Sequence, residues 1–168
     1  MIQNIQFSKH FDLYQLIASN TATRENIEEQ FNPPTLVVNN LRMLVLNVLE
    51  PIRDLINAPV IDSSGYRCRN LNTKVGGEWN SQHLSGEAAD ITAEGYTVEK
   101  LYETIKASKI NFDELIIENN GKGVFWVHVS YDPNKIEQRG ICMKGVLQEG
   151  GGTICVADGF GNFKTANV

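Results

Sequence analysis

Imidazole and carboxylate, two side-chain types that hold transition metals, stand seven positions apart in the run Ser64–Ile91, SGYRCRNLNTKVGGEWNSQHLSGEAADI. Between His83 and Asp90 the residues are small. Gly86 permits a tight turn, and Ala88 and Ala89 permit close backbone approach. A further histidine, His128, lies in the strongly β segment Val124–Ser130, VFWVHVS, with Trp126 and Ser130 on its face by alternation. Catalytic zinc sites take three protein ligands from histidine and carboxylate and leave a position for water. His83, Asp90 and His128 form one such set. A hydrogen-bonded His83–Asp90 pair inside a core fits the same spacing, so spacing alone leaves both readings open. The remaining histidine, His10, stands apart and reads as a satisfied or exposed side chain.

Holding these residues calls for a helical part and a sheet part. Ser8 can cap a helix from Lys9 to about Ser19, with Phe11, Leu13, Tyr14, Leu16 and Ile17 as its apolar face. Thr23 opens a short acidic helix through Gln30, which Pro33–Pro34 stops. The longest helix is predicted over Thr35–Ile56. Its stripe of Val38, Leu41, Val45, Val48, Leu49 and Ile52 recurs at three- and four-residue steps, and Pro51 is expected to kink or divide it. After Asn57 the pattern turns to short strands. Pro59–Tyr66 reads as a strand and its exit, Cys68–Val75 as a helix ended by Gly76–Gly77, and Glu87–Thr92 as a strand. Thr97 caps a helix over Val98–Ser108. Strands Phe112–Glu118 and Val124–Tyr131 are joined by the hairpin signal Asn119–Gly123, and Arg139–Lys144 reads as the last strand. With no repeat and no linker, one domain is expected: residues 1–57 a helical preface, 58–145 a catalytic core, and 146–168 a glycine-rich tail forming an edge hairpin or a partly mobile end. The fold class is α+β, a helical N-terminal layer on a small, mainly antiparallel sheet.

Bulk properties narrow the function. A chain of 168 residues with 42% apolar and 21% charged residues is an ordinary globular composition, long enough to bury about two-thirds of its unfolded surface. A net charge of -5 with no basic run argues against nucleic acid as the main partner. Cys68, Cys142 and Cys155 lack CxxC spacing and read as small hydrophobes of a chain made in a reducing cytosol. The longest apolar-rich segment, Leu36–Ile56, is interrupted by Arg42, Glu50, Pro51 and Arg53, so no membrane span is predicted. The start, MIQNIQFSKHFDLYQ, lacks the pattern of a secretory signal.

The run Ser64–Ile91, followed by DELIIE at Asp113–Glu118 and WVHVSY at Trp126–Tyr131, resembles the D-Ala-D-Ala carboxypeptidase-type zinc peptidases. These share a fold with the hedgehog signalling domain and lysostaphin-type enzymes. The pattern S-x-H-x-x-G-x-A-x-D is met by Ser81, His83, Gly86, Ala88 and Asp90. W-x-H is met by Trp126 and His128, and S-G-Y-R by Ser64 to Arg67. LIASNTATR and LRMLVLNVLEPIR are similar to the helical preface of a phage-endolysin-like branch, so the likeness covers about residues 7–145.

The resemblance implies that His83, Asp90 and His128 ligate zinc. It implies that Arg67 binds a substrate carboxylate or steadies the oxyanion, a planar fork of donors suiting either task. Ser81 would be a nearby hydrogen-bonding group, a turn-forming role being the alternative. Trp126 adjoins the site by alternation. A general base is also required, and here the chain departs from many relatives. The position three before the last histidine is Phe125 where they carry an acid, and the position two before is Trp126 where others carry a histidine. Glu118, ending DELIIE, is the candidate base. A bulged Asn119–Gly123 loop brings it toward His128, whereas a tight, symmetric hairpin places Glu114 opposite His128. Glu118 is preferred because Leu115–Ile117 reads as buried and Glu114 as a solvated edge residue. Glu78, Glu87 and Asp113 read as solvated or turn residues, and Trp79 and Trp126 as packing residues.

The expected function is a zinc-dependent peptidase acting on the stem peptide of bacterial peptidoglycan, either a D-Ala-D-Ala carboxypeptidase or an L-Ala-D-Glu-type endopeptidase. The absent signal sequence suits a phage or prophage lysis enzyme released by other means, or unconventional export. A monomer is expected. A catalytically silent zinc-binding domain and a structural phage or prophage component are the alternatives.

Overall fold

The computed structural model describes residues 2–147 and 153–157. Its centre is a sheet of strands Val60–Ser64 (β1), Ala88–Ala93 (β2), Glu114–Asn119 (β3), Phe125–Ser130 (β4), Ile141–Leu147 (β5) and Thr153–Ala157 (β6), in the spatial order β1-β2-β4-β3-β5-β6. All neighbours are antiparallel except β3 and β5. The class is the expected α+β. The strand expected to close the sheet is followed by β6, which forms an edge hairpin with β5. Residues 148–152 and 158–168, the rest of the expected tail, lie outside the described residues.

Side chains alternate across a strand, so each strand here presents two different surfaces. Ala89, Ile91, Leu115, Ile117, Val127 and Val129 are all buried and form the core face. The helix Val98–Lys106 packs on β2, β3 and β4. It is capped by Thr97 as expected, and it contributes Leu101, Tyr102 and Ile105, all fully buried. Burial of each such side chain stabilises the fold by about 1.5–3 kcal/mol. The opposite face carries Asp90, Trp126, His128, Glu114, Ile116 and Glu118. It is polar because it is the floor of a cleft.

The N-terminal helices are Leu13–Ile17 (α1), Asn20–Arg24 (α2), Thr35–Leu44 (α3) and Glu50–Ile56 (α4). Two are shorter than predicted. Helix α1 starts at Leu13 because Asp12 and Gln15 form a reciprocal capping box, whereas the Ser8 hydroxyl, expected to cap, donates to Glu50 Oε2 at 2.6 Å. Helix α2 is capped by Ser19, not Thr23, and the acidic stretch after it is a single 3₁₀ turn, Glu28–Phe31. The expected break at Pro51 is a change of pitch. Proline offers no N–H and crowds the carbonyl four residues back. The chain runs through a π-helical segment, Val45–Leu49, in which the Glu50 N–H bonds Val45 O, and then resumes as α4. The long apolar stripe survives: Leu41, Leu44, Val45, Val48, Leu49 and Ile52 are fully buried. Helix α5, Arg69–Lys74, and α6, the helix capped by Thr97, complete the set. Cys68 and Cys142 are buried, and Cys68 Sγ accepts from Leu71 N and caps α5.

The β3–β4 hairpin takes a register that neither expectation anticipated. The loop after Asn119 closes by Asn120 N to Val124 O at 3.1 Å, and the Asn120 carboxamide accepts from Lys122 N and Val124 N. Ile116 is thereby opposite His128, and Glu118 is opposite Trp126. Glu114 and Glu118 thus sit one alternation to either side, diagonal to His128 and on its face. Long side chains span that diagonal.

Candidate metal centre and its cleft

His83 lies on a 3₁₀ turn, Gln82–Ser85. Ser81 starts the turn, its Oγ accepting from His83 N at 3.4 Å, and Gly86 ends it at φ 72°. Gly86 is also pressed on α3: a Cβ there would lie 2.9 Å from both the carbonyl and Cγ1 of Val37. Asn40 of α3 donates to Ser85 O at 2.9 Å and fastens the same turn. On the other side Arg67 N donates to His83 O at 3.0 Å, and the Gly65 carbonyl lies 2.6 Å from His83 Nδ1. A carbonyl only accepts, so Nδ1 carries the proton and Nε2 is the nitrogen left for a ligand. Gly65 must be glycine because a Cβ would overlap the Leu16 carbonyl oxygen.

Asp90 comes from the middle of β2, where the sheet pairs it with Ser64 on one side and His128 on the other. Its Oδ1 lies 3.2 Å from His83 Nε2 and 3.1 Å from His128 Nδ1, and those nitrogens are 3.3 Å apart. Atoms about 2.0–2.1 Å from a tetrahedral zinc are about 3.3 Å from one another. Those three separations trace one face of such a tetrahedron, and the donor set of two imidazoles and a carboxylate suits zinc. All three residues are buried, so solvent does not explain the convergence. The His83–Asp90 pair that spacing left open as an alternative is thus part of a three-residue cluster.

Electrostatics fits the same picture. Burial opposes ionisation of Asp90, but the facing imidazoles of His83 and His128 outweigh it and hold the carboxyl far below the usual range. Burial likewise opposes charge on His128, but Asp90 outweighs it and raises that ring's pKa. Behind Asp90, burial and then the Asp90 charge push Asp62 up to about 8. Asp62 Oδ2 is buried without a partner.

The cleft over the cluster has a volume of about 930 Å³, room for a short peptide. Its lining runs from Ala18–Thr21 of the helical layer, past Arg67 and His83, to Glu118–Asn120 and Arg139. Arg67 Nη2 lies 3.9 Å from Asp90 Oδ2, and Arg67 Nε is buried without a partner. Ser81 forms the turn and lines the cleft. Trp126 Nε1 donates to Glu118 Oε2 at 3.0 Å. Glu114 is bound by Arg139 Nη2 at 2.6 Å and is not the solvated edge residue expected.

A family model described as Peptidase M15 matches residues 9–130. The chain belongs to that family. The match runs from the helical layer through the last residue of β4 and takes in all three residues of the cluster. M15 peptidases are zinc-dependent, and His83, Asp90 and His128 are the candidate metal site of this member. No curated protein matches the chain. Among the described residues no helix is long and apolar enough to cross a membrane.

Three other expectations are corrected in this M15 chain. Asp113 is not solvated: its side chain is fully buried and accepts from the backbone N, Nε and Nη2 of Arg139, from Lys135 Nζ at 3.4 Å and from Gln82 Nε2 at 3.0 Å. Burial opposes its ionisation, but Arg139 outweighs burial and pulls it down to about 2. Glu87 is half-buried, and desolvation raises its pKa. Trp79 does not pack: it is 77% exposed, while Glu78 beside it is exposed as expected. Residue-type reasoning missed Gln82, Gly65 and Arg139. Only the S-G-Y-R likeness touched any of them, and it drew no function for Gly65.

Proposed function

We propose that this chain is a zinc-dependent peptidase that hydrolyses peptide bonds of bacterial peptidoglycan, either as a D-Ala-D-Ala carboxypeptidase or as an L-Ala-D-Glu-type endopeptidase. The convergence of His83 Nε2, Asp90 Oδ1 and His128 Nδ1 carries the reading. When bound there, zinc supplies Lewis-acid polarisation of the scissile carbonyl and a water nucleophile available near neutral pH. His83 and His128 bind as neutral rings and Asp90 as a carboxylate, the state its two imidazole neighbours favour.

Glu118 acts as general base, taking a proton from the attacking water and returning it to the departing amine. Two features support Glu118 over Glu114. Its carboxylate accepts from the neutral Trp126 indole N–H, which orients it, whereas the Glu114 carboxylate is engaged in an ion pair with Arg139. Both share the face of His128, so reach does not separate them. Arg67 carries a buried, unpartnered Nε beside the cluster and binds the substrate carboxylate or the oxyanion. Ser81 and Trp126 contact the peptide from the cleft wall.

The test is mass spectrometry of purified peptidoglycan incubated with the zinc-loaded protein. Loss of terminal D-Ala identifies the carboxypeptidase, and new internal amino termini identify the endopeptidase. Intact muropeptides after prolonged incubation, with zinc bound, would leave a silent zinc-binding domain in its place.

A further inference from the structure

Gln30 is fully buried between the helical layer and the segment that carries Arg67. It sits on the 3₁₀ turn Glu28–Phe31, and its carboxamide is engaged at both ends. Nε2 donates to Ile17 O at 2.9 Å and to Tyr66 O at 2.7 Å, while Oε1 accepts from Cys68 N at 2.9 Å. Tyr66 and Cys68 are the two chain neighbours of Arg67. We infer that Gln30 is a positioning residue: by fastening the main chain on both sides of Arg67, it aims that guanidinium into the cleft. The inference rests on the reading above in which Arg67 binds the substrate carboxylate or the oxyanion.

No hydrogen bond to another side chain among the described residues holds the Arg67 guanidinium. Its one charged neighbour there is Asp90, and the 3.9 Å from Nη2 to Oδ2 is too long for a hydrogen bond. Its Nε is buried without a partner. A guanidinium left open in this way suits an incoming anion, so its direction must come from the backbone that carries it. That backbone is held at each step. Tyr66 N donates to Leu16 O at 2.8 Å, and Arg67 N donates to His83 O at 3.0 Å. Tyr66 O and Cys68 N are taken by Gln30. Of these partners Gln30 alone spans both flanks of Arg67, and it alone is a side chain.

The Gln30 amide has one fitting orientation. Carbonyls only accept and a backbone N–H only donates, so its NH₂ faces Ile17 and Tyr66 and its oxygen faces Cys68. An apolar side chain satisfies none of the three groups. The same bonds tie the Arg67 segment to the end of α1, next to the cleft wall at Ala18–Thr21. The substrate anion thereby meets a donor fork whose place is set beforehand. Misplacing such a group by about 1 Å costs up to about 10²-fold in rate.

The test uses the full zinc-loaded chain and muropeptides from purified peptidoglycan. Gln30→Met keeps the length of the side chain and removes all three bonds. It should lower kcat/KM by about 10–10²-fold and leave zinc affinity unchanged. In an Arg67→Ala background the same change should have no further effect, because no guanidinium remains to be aimed. An equal fractional loss in both backgrounds, or zinc affinity falling in step with activity, overturns the inference in favour of a general structural role. Because Gln30→Met strands three buried backbone groups, a measurement on wild type stands beside it. Nitrogen relaxation of the Arg67 Nε–H, assigned by its loss in Arg67→Ala, should report a rigid side chain in the ligand-free protein. A mobile, averaged guanidinium in wild type overturns the inference whether or not the variant folds. Full activity in Arg67→Ala overturns both the role of Arg67 and its positioning. A wild type that cleaves nothing overturns the proposed function, while the order of the Arg67 side chain still decides the positioning.

Discussion

Gly86→Ala concentrates two separable costs in one methyl group, and Gly95→Ala supplies the control. Both glycines have left-handed backbones, with φ of 72° and 74°. For an L-residue that conformation costs about 1–2 kcal/mol. Around Gly95 no atom lies within 4 Å of the added Cβ, so Gly95→Ala should lose only that amount. At Gly86 the same Cβ would meet Val37 Cγ1 and Val37 O at 2.9 Å and Leu41 Cγ at 3.1 Å. The Val37 carbonyl is helix backbone and cannot step aside, so overpacking adds about 1–3 kcal/mol. Gly86→Ala should therefore cost about 2–5 kcal/mol and Gly95→Ala about 1–2 kcal/mol. Urea unfolding of both variants in the presence of chelator measures the difference without any contribution from metal. Because the Gly86 turn carries His83, zinc affinity should also fall in Gly86→Ala and stay unchanged in Gly95→Ala. Equal destabilisation of the two variants would refute the claim that α3 clamps the His83 turn.

Glu118→Gln should bind zinc and fold like wild type while losing peptidoglycan hydrolysis by about 10²–10⁴-fold; Glu114→Gln should retain most of it, and the reverse ranking would transfer the base to Glu114. Asp113→Asn removes a carboxylate pulled down to about 2, so the stability it contributes is present above the ordinary carboxylate pKa and is lost as pH falls toward 2. The variant should be less stable by about 2 kcal/mol at pH 7, and urea melts at successively lower pH should converge. Zinc competes with a proton on His128, whose pKa Asp90 raises, so zinc affinity measured by chelator competition should weaken as pH falls into the range where that ring protonates. In the zinc-free protein the His128–Asp90 pair should stabilise the fold below the ordinary histidine pKa and lose that contribution as pH rises through the raised one.

Which parts of the site were legible depended on how local they were. His83, Gly86 and Asp90 lie in one short motif whose turn is set by its own glycine, and His128 is delivered to Asp90 by direct β2–β4 pairing, so residue types and a family pattern sufficed. The hairpin register was not legible. It depends on how the Asn119 and Asn120 carboxamides cap an odd loop, and a shift of two positions decides which residue faces His128. Asp113 looked like a turn residue because its chief partner, Arg139, arrives 26 positions later through the parallel β3–β5 pairing. The start of α1 was misjudged for a related reason. Ser8 is a good cap locally, but its hydroxyl is committed to Glu50, 42 residues away, and Asp12 with Gln15 wins the helix. The sequence likewise held no sign that Trp79 would stand exposed.

On the proposed reading, His83, Asp90 and His128 hold one zinc and cut cell-wall peptide with it. Titrating zinc into the chelator-stripped chain while counting amines released from purified peptidoglycan tests it most directly. Release should climb with added zinc and level off at one zinc per chain. Stoichiometric zinc binding with no amine released, or release that continues unchanged without zinc, would contradict it.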